Sequence, residues 1–565
     1  MVLIAISWIY ISFTTVNLGF AFDKILRLKT SDFVILSFHG LLATTILGSI
    51  WAIFGRINFE FHLALLTVNT VAFWNYRIGV IAVYKDFWET VCNLQKKIKI
   101  LLALITLLII AQCAALPFII DNETYYVQTI KWLNEYGFVK GLANLHIFLG
   151  QTSGWHITQS IFNFSFLYKN FNDLSGFCLL LGNIYALIKL SGYSKNGNKL
   201  WLTIGFFPIY NALLFQFISA PSPDMAIYVI SLILFFQFID NFDNPKPEII
   251  NTLFVLCFFL LYIKPTSVVI LLIPMIFIFG NYRKHVSRWL AVTFVGFIIF
   301  ALFIIKNTII TGYPLYPTQL IPALNTDFAV PKELINYYFT EAKLYGFFLT
   351  GTEFHSMTNS EIFIKWLTVS KINGAFNILS LLLIMIVPIF IYRFYNKKSL
   401  WILYFIMITQ LVLLLITSPQ FRFFLNFIIF FGSFILACLL FTKKNSIACI
   451  SLSTVIVAIL VFFPVNISVL TQNKLFTSTR NFHFANLIFP AENSNLHVYI
   501  SQKTGNMQYY SPDKNAYFWY GGNGKLPCVN KQQLDYFEMY FHFVPQQRST
   551  DLKDGFYSKF SGYDQ

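Results

Sequence analysis

The groups in this chain that could do chemistry are carboxylates and cations at the ends of long apolar runs, where a charge is costly unless it works at the membrane edge. Asp121 and Glu123 lie in Ile119-Ile120-Asp121-Asn122-Glu123-Thr124-Tyr125-Tyr126, directly after the apolar stretch 100–120. Asp224 follows Ser222-Pro223, Lys264 sits in Tyr262-Ile263-Lys264-Pro265-Thr266, Lys306 in Ile305-Lys306-Asn307, and Arg422 in Ser418-Pro419-Gln420-Phe421-Arg422-Phe423. A carboxylate at such a position can take a proton from a hydroxyl, and cations at headgroup level can hold a phosphate. Asp121 is the expected base with Glu123 beside it, Asp224 a second carboxylate that orients hydroxyls, and Lys264, Lys306 and Arg422 the phosphate partners. His146 and His156 flank Gly150, and an imidazole can exchange protons near neutral pH. His146 is counted with the substrate contacts. No cofactor is demanded, and the metal option is Mg2+ or Mn2+ on Asp121 and Glu123.

Each residue also has a plainer reading. Helix-end Lys and Arg commonly reach for headgroups. Asp121 and Asp224 can cap helices, and Glu123 suits a solvated helix start. A lone loop histidine is usually structural.

The elements that position these groups are membrane helices. The 565 residues are 57% hydrophobic and only 12% charged, with a mean hydropathy of +0.64, about half the charged content of a soluble domain. Windows of about 19 residues give about fourteen apolar spans able to cross, or nearly cross, a ~30 Å hydrocarbon core. The fold class is therefore an all-α polytopic membrane protein. The net charge of +15 comes from short clusters between the spans, which serve as topology signals and give no nucleic-acid surface. These are Lys24/Arg27/Lys29, Lys85/Lys96/Lys97/Lys99, Lys195/Lys199, Lys246, Arg283/Lys284/Arg288, Lys397/Lys398 and Lys443/Lys444. All fall on the cytoplasmic side if the chain crosses once, at 174–190, between Asp121 and Lys195. The short apolar run 155–167 must then re-enter or lie in the interface. Asp121, Glu123, Asp224, Lys264, Lys306 and Arg422 all emerge on the outer face.

Residues 1–470 form the expected membrane domain, with outer loops at 121–173 and 306–377, and 471–565 a small α+β outer domain. In the first loop, Tyr126, Val127, Ile130 and Leu133 share one side of a helical wheel and Gln128, Lys131, Asn134 and Glu135 fall mostly on the other. This predicts a helix along the membrane surface ended by Gly137. In the tail, 497–500 reads as a strand, 520–524 as a turn and 533–541 as a short helix. The seven cysteines show neither disulfide nor metal spacing. Hydrolase, Walker and dinucleotide-binding motifs are absent.

The carboxylate motif in the first large outer loop, the amphipathic helix behind it, the charged outer helix ends and the outer C-terminal domain together resemble the GT-C superfamily. These polyprenyl-phosphate-sugar-dependent glycosyltransferases include protein O-mannosyltransferases, lipid A aminoarabinose transferases and oligosaccharyltransferases. Asp121-Asn122-Glu123 is similar to their D-x-D-like or single-Asp motif, and Lys264-Pro265-Thr266 and Arg422 are similar in type and placement to their donor-phosphate contacts. Here about three apolar spans precede the helix leading into Asp121, whereas the family commonly places that loop after the first helix. Residues 121–155, 311–317 and Asp554-Gly555-Phe556 also resemble a group of bacterial envelope membrane proteins.

The resemblance implies an inverting transferase in the bacterial cytoplasmic membrane. It would move a sugar from a polyprenyl-phosphate donor onto a glycan, lipid or protein acceptor outside. Two alternatives stay open, an O-antigen-type polymerase or ligase and a flippase for lipid-linked oligosaccharides. The first wants Arg or His in its large outer loop, where 306–377 holds His355 and no Arg. The second wants midplane charges and related halves.

Overall fold

A computed structural model describes residues 1–169, 171–279, 286–440, 442–466, 470–471 and 482–562. Arg283 and Lys284, expected on the cytoplasmic side, lie outside them. The chain is mostly helical. α1 (Val2–Leu26), α2 (Phe33–Phe54), α3 (Phe59–Cys92) and α4 (Lys96–Cys113) lead to the first outer loop. That loop carries α5 (Val127–Glu135) and α6 (Gly154–Ile161) and enters α7 (Leu174–Asn196). The next helices are α8 (Lys199–Gly205), α9 (Asn211–Leu214), α10 (Pro223–Asp240), α11 (Pro247–Ile263), α12 (Leu272–Phe279) and α13 (Val286–Thr311). α14 (Lys332–Phe347), α15 (Gly351–Ser356) and α16 (Asn359–Leu367) follow, and α17 (Lys371–Phe390), α18 (Lys398–Ile416), α19 (Leu425–Leu439) and α20 (Lys443–Phe462) complete the bundle.

Among the described residues, nine helices are long and apolar enough to cross a membrane, and three more apolar helices are shorter. The expected fourteen spans are not reached by that measure. One reason is visible in α4, whose first turn holds Lys96, Lys97 and Lys99, a charge load that spoils an otherwise apolar 18-residue helix. The crossing expected at 174–190 is α7. The apolar run 155–167 supplies the eight-residue α6, about 12 Å long, too short to cross, and all of its residues are buried.

The bundle is held by close helix contacts where lipid offers no hydrophobic contrast. α1 and α2 cross at Gly19 and Gly40, where an added Cβ would collide with the backbone oxygens of Leu36 and Thr15.

Two expectations for the outer face are corrected. α5 ends at Gly137 (φ +74°), as its sequence predicts, but it does not lie along the surface. Its polar side is covered by the tail: Gln128 Nε2 donates to Gly522 O at 2.8 Å and Lys131 Nζ to Gly524 O at 3.0 Å. The second outer loop does not open at Lys306, because α13 runs on to Thr311 and α17 begins at Lys371.

In the tail, β1 (Tyr499–Thr504) pairs antiparallel with β2 (Met507–Pro512), and β3 (Phe543–Gln547) with β4 (Phe556–Phe560). α21 (Lys531–Phe541) lies between the two hairpins in sequence. The tail is stitched to the first outer loop by Gly521 N and Gly522 N on Glu123 O, at 2.9 and 2.8 Å, and by Phe556 N on Lys140 O at 2.9 Å. Its apolar residues Met507, Tyr509, Leu534 and Phe556 join the same continuous core as the bundle.

Candidate functional site

Four charges from four remote stretches meet at one end of the bundle, the end expected to face outward. Asp121 follows α4, Asp224 occupies the first turn of α10 after Pro223, Lys264 caps the C-terminus of α11, and Arg422 lies in the turn between α18 and α19. Arg422 Nη1 is 2.5 Å from Asp121 Oδ2 and 3.8 Å from Asp224 Oδ2, and Lys264 Nζ donates to Asp224 Oδ1. The order Asp121, Arg422, Asp224, Lys264 thus alternates in sign, which lets charges survive partial burial where any one alone would be expelled. Asp224 is almost closed off, with its side chain 3% exposed, while Asp121, Lys264 and Arg422 keep 19%, 21% and 26%. The cations are therefore reachable from outside.

The Arg422 turn is built rigidly. Ser418 Oγ donates to Ala342 O at 2.7 Å, Trp366 Nε1 to Pro419 O at 2.9 Å, and Tyr228 OH to Arg422 O at 2.9 Å. Arg422 Nε donates to Gln420 Oε1 at 2.8 Å, and Phe421 stacks on Phe376 at 4.7 Å. Phe423 floors both cations, with Lys264 Nζ 3.8 Å and Arg422 Cζ 5.1 Å from its ring centre, a cation–π geometry. Burial opposes the Arg422 charge, but Asp121 and Asp224 outweigh it and hold the guanidinium well above its usual pKa. For Lys264 burial wins over the attraction of Asp224, and Arg422 adds repulsion, so its pKa falls below that of an ordinary lysine.

Behind Asp121 stands an aromatic wall. Tyr126 OH donates to Asp121 Oδ2 at 3.3 Å, and the His156 ring packs 4.9 Å from Tyr126 and 5.7 Å from Tyr125. His156 Nδ1 accepts from Ser153 N at 3.2 Å, and burial first, then Lys306 and Lys264, lower its pKa to about 3. A neutral imidazole results, fixed as the cap partner of α6.

The remaining expected residues lie apart from these four charges. Glu123 is buried and faces the tail, accepting from Ser494 Oγ at 2.6 Å, Asn495 N at 2.9 Å and Asn495 Nδ2 at 3.1 Å. Its expected pairing with Asp121 is corrected, because two residues along this π-helical turn send the side chains to different neighbours. Lys306 is enclosed within α13 and donates to Thr152 O and Asn307 Oδ1, both at 2.6 Å. These bonds let the helix continue through the charge. His146 has both ring nitrogens engaged, Nδ1 by Phe148 N at 3.2 Å and Nε2 against Trp519 O at 3.1 Å, and burial lowers its pKa to about 4. It pins the tail to the loop.

Among the described residues Asp121 and Glu123 do not come together as the Mg2+ or Mn2+ pair expected from the sequence, since Glu123 turns to the tail. Among the described residues no cluster of three or more His, Cys, Asp or Glu is placed to hold a metal. Asp121 and Asp224 are already compensated by Arg422 and Lys264, and Glu123 by hydrogen bonds. Sequence reasoning missed Tyr126, Tyr228, Gln420 and Phe423. Their neighbourhood to Asp121 and Arg422 in sequence was the available signal for Tyr126, Gln420 and Phe423, whereas Tyr228 had none.

A family model described as Domain of unknown function (DUF8201) matches residues 1–429. The matched region contains all four charges and stops before the tail. No curated protein and no solved structure matches the chain.

Proposed function

The chain belongs to the Domain of unknown function (DUF8201) family, and we propose that it is an inverting glycosyltransferase using a polyprenyl-phosphate sugar at the outer face of the bacterial cytoplasmic membrane. The observation that carries this reading is the meeting of Asp121, Arg422, Asp224 and Lys264 at one partly exposed point of a multi-pass membrane protein. Asp121 takes the proton of the acceptor hydroxyl while that oxygen bonds to the sugar's anomeric carbon. The bond from that carbon to the phosphate oxygen breaks, and its electron pair leaves on the lipid phosphate. Arg422 and Lys264 receive the negative charge that grows there, the kind of preorganised electrostatic support that lowers such barriers. Asp224 holds Lys264 in place and keeps the two cations from repelling each other apart. The acceptor is a glycan, lipid or protein bearing a free hydroxyl.

The test uses the purified full chain in detergent with a polyprenyl-phosphate monosaccharide and a mixture of envelope glycans as acceptors. Wild type is expected to release polyprenyl phosphate, and Asp121→Asn to lose about 10²–10⁴-fold of that rate with its membrane insertion unchanged. Full activity in Asp121→Asn would remove the reading. Turnover only of a diphosphate-linked chain would favour a polymerase, and lipid movement across vesicles without turnover a flippase.

A further inference from the structure

A second polar site lies against α5, separate from the four charges. Asn58, Asn134, Asn163, Asn172, Asn493 and Asn523 line a cavity of ≈ 270 Å³, with Lys131, Glu135, Ser165 and Lys169 among its other residues and Val127 and Ile130 as an apolar patch. The six asparagines come from four separate parts of the chain: the start of α3, α5, the stretch between α6 and α7, and the tail. Their amides support one another without using all their capacity. Asn134 Nδ2 donates to Ile57 O at 2.7 Å and Ser160 O at 2.8 Å, and its Oδ1 accepts from Asn163 Nδ2 at 2.7 Å. Asn523 Nδ2 donates to Asn493 Oδ1 at 2.8 Å. Among the described residues, Asn163 Oδ1 and Asn172 Nδ2, in residues that are each 6% exposed, have no hydrogen-bond partner. One is an acceptor and the other a donor, and buried polar groups in this state are uncommon enough to need an explanation.

The charge at this cavity does not suit an anion. Lys131 Nζ is already spent on Asn523 O at 3.4 Å and Gly524 O at 3.0 Å, and the exposed Lys169 is offset by the exposed Glu135. What remains is a wall of amides beside a small apolar patch. A sugar ring has hydroxyls that both donate and accept, and a C–H face that suits Val127 and Ile130. The volume is just under the ~300–1,000 Å³ of ordinary small-molecule sites, enough for a single ring.

We propose that this asparagine-lined cavity binds a neutral, hydroxyl-rich carbohydrate. It deepens the transferase reading by naming the acceptor class as a neutral glycan, and to that extent it rests on that reading, but the binding itself does not need Asp121. α5 links the two places. Tyr126, at its start, bonds Asp121, Val127 and Lys131 line the cavity, and Asn122 Nδ2 donates to the backbone oxygen of Asn493 at 2.8 Å.

The experiment probes the purified full chain with an array of neutral, amino-sugar and uronic-acid oligosaccharides, followed by calorimetry on the best neutral binder. Two variants separate binding from folding. Asn172→Ala removes the buried Asn172 Nδ2 that has no partner among the described residues, and Ser165→Trp fills the cavity from a half-buried position while leaving every asparagine in place. Each is expected to weaken neutral-sugar binding at least tenfold while the thermal melting point stays within a few degrees of wild type, and Asp121→Asn is expected to bind as wild type does. Failure of every neutral array member to bind, a preference for uronic acids, or binding untouched by both cavity variants would overturn the proposal. Loss of turnover in Asp121→Asn with sugar binding intact keeps the two readings distinguishable, since either can then fail alone.

Discussion

Opposite charges meet at both ends of this bundle, yet the two ends differ in what surrounds them. At the end holding the N-termini of α11 and α18, Lys29 pairs with Glu248 at 2.9 Å and Lys397 with Asp243 at 3.8 Å, and one partner in each pair is mostly in solvent, Lys29 at 71% and Asp243 at 81% exposed. At the other end of α10 and α11, Asp224 and Lys264 join Arg422 and Asp121 in one partly buried series over the Phe423 ring. Exposed pairs are screened and contribute little, whereas buried ones are costly to break and must be held by their surroundings. The same residue types therefore make solvated surface pairs at one end and a candidate site at the other. Burial makes the difference.

Breaking the outer series at its centre is expected to have the largest effect on stability. Arg422→Ala leaves Asp121 without its cation and Asp224 with Lys264 alone, and should cost about 3–5 kcal/mol, read as a fall in the melting temperature of the detergent-solubilised protein. Arg422→Lys should recover part of that loss. A melting temperature unchanged in Arg422→Ala would mean that the series is no more than another surface pair.

Glu123→Gln sharpens the contrast between the two neighbouring carboxylates. It weakens three bonds to Ser494 and Asn495, charge-assisted contacts contributing about 1.5–3 kcal/mol each at most. The expected outcome is faster proteolysis of the tail beyond Ser494. The Asp121 variant should show no such change, and equal protection in both would contradict a docking role for Glu123.

The buried histidines give a pH dependence of defined sign. In the unfolded chain an imidazole binds its proton below about pH 6.5, whereas His146 and His156 resist protonation down to about 4 and about 3. The unfolded state thus binds more protons as pH falls below about 6.5, so the stabilisation is complete above that value and shrinks below it. By pH ~5 the loss approaches about 2 kcal/mol per histidine. His146→Gln should flatten this slope, and melting curves from about pH 7.5 to about 5 would reveal an unchanged slope if His146 is exposed.

Glu248→Gln, at the solvated end, should change stability by only about 0–1 kcal/mol. A loss comparable to that of Arg422→Ala would erase the distinction between the ends.

Much of this was legible in the sequence, for identifiable reasons. The helix after Asp121 and its stop at Gly137 follow from 3.6-residue periodicity and from a glycine at positive φ. The crossing at 174–190 followed from charge placement, and the tail helix from local pattern within a few residues of α21. Lys306 differs from its expected outward reach, which is what a lysine near a helix end usually does. Nothing local announces that Thr152 O and Asn307 Oδ1 will satisfy it in place. α5 differs from the expected surface helix because the tail residues that cover its polar face lie almost four hundred positions away, as in the Gln128–Gly522 bond.

By itself the sequence determined that this is a multi-pass helical membrane protein and which charges sit at helix ends, because apolar length and charge position are local properties that lipid and water read directly. Only the tertiary structure decided that Asp121, Asp224, Lys264 and Arg422 meet while Glu123, His146 and Lys306 serve as internal fastenings. It also decided that six asparagines wall one cavity. Partnership between buried polar groups depends on which helices and loops pack side by side, and that is fixed by the whole core at once.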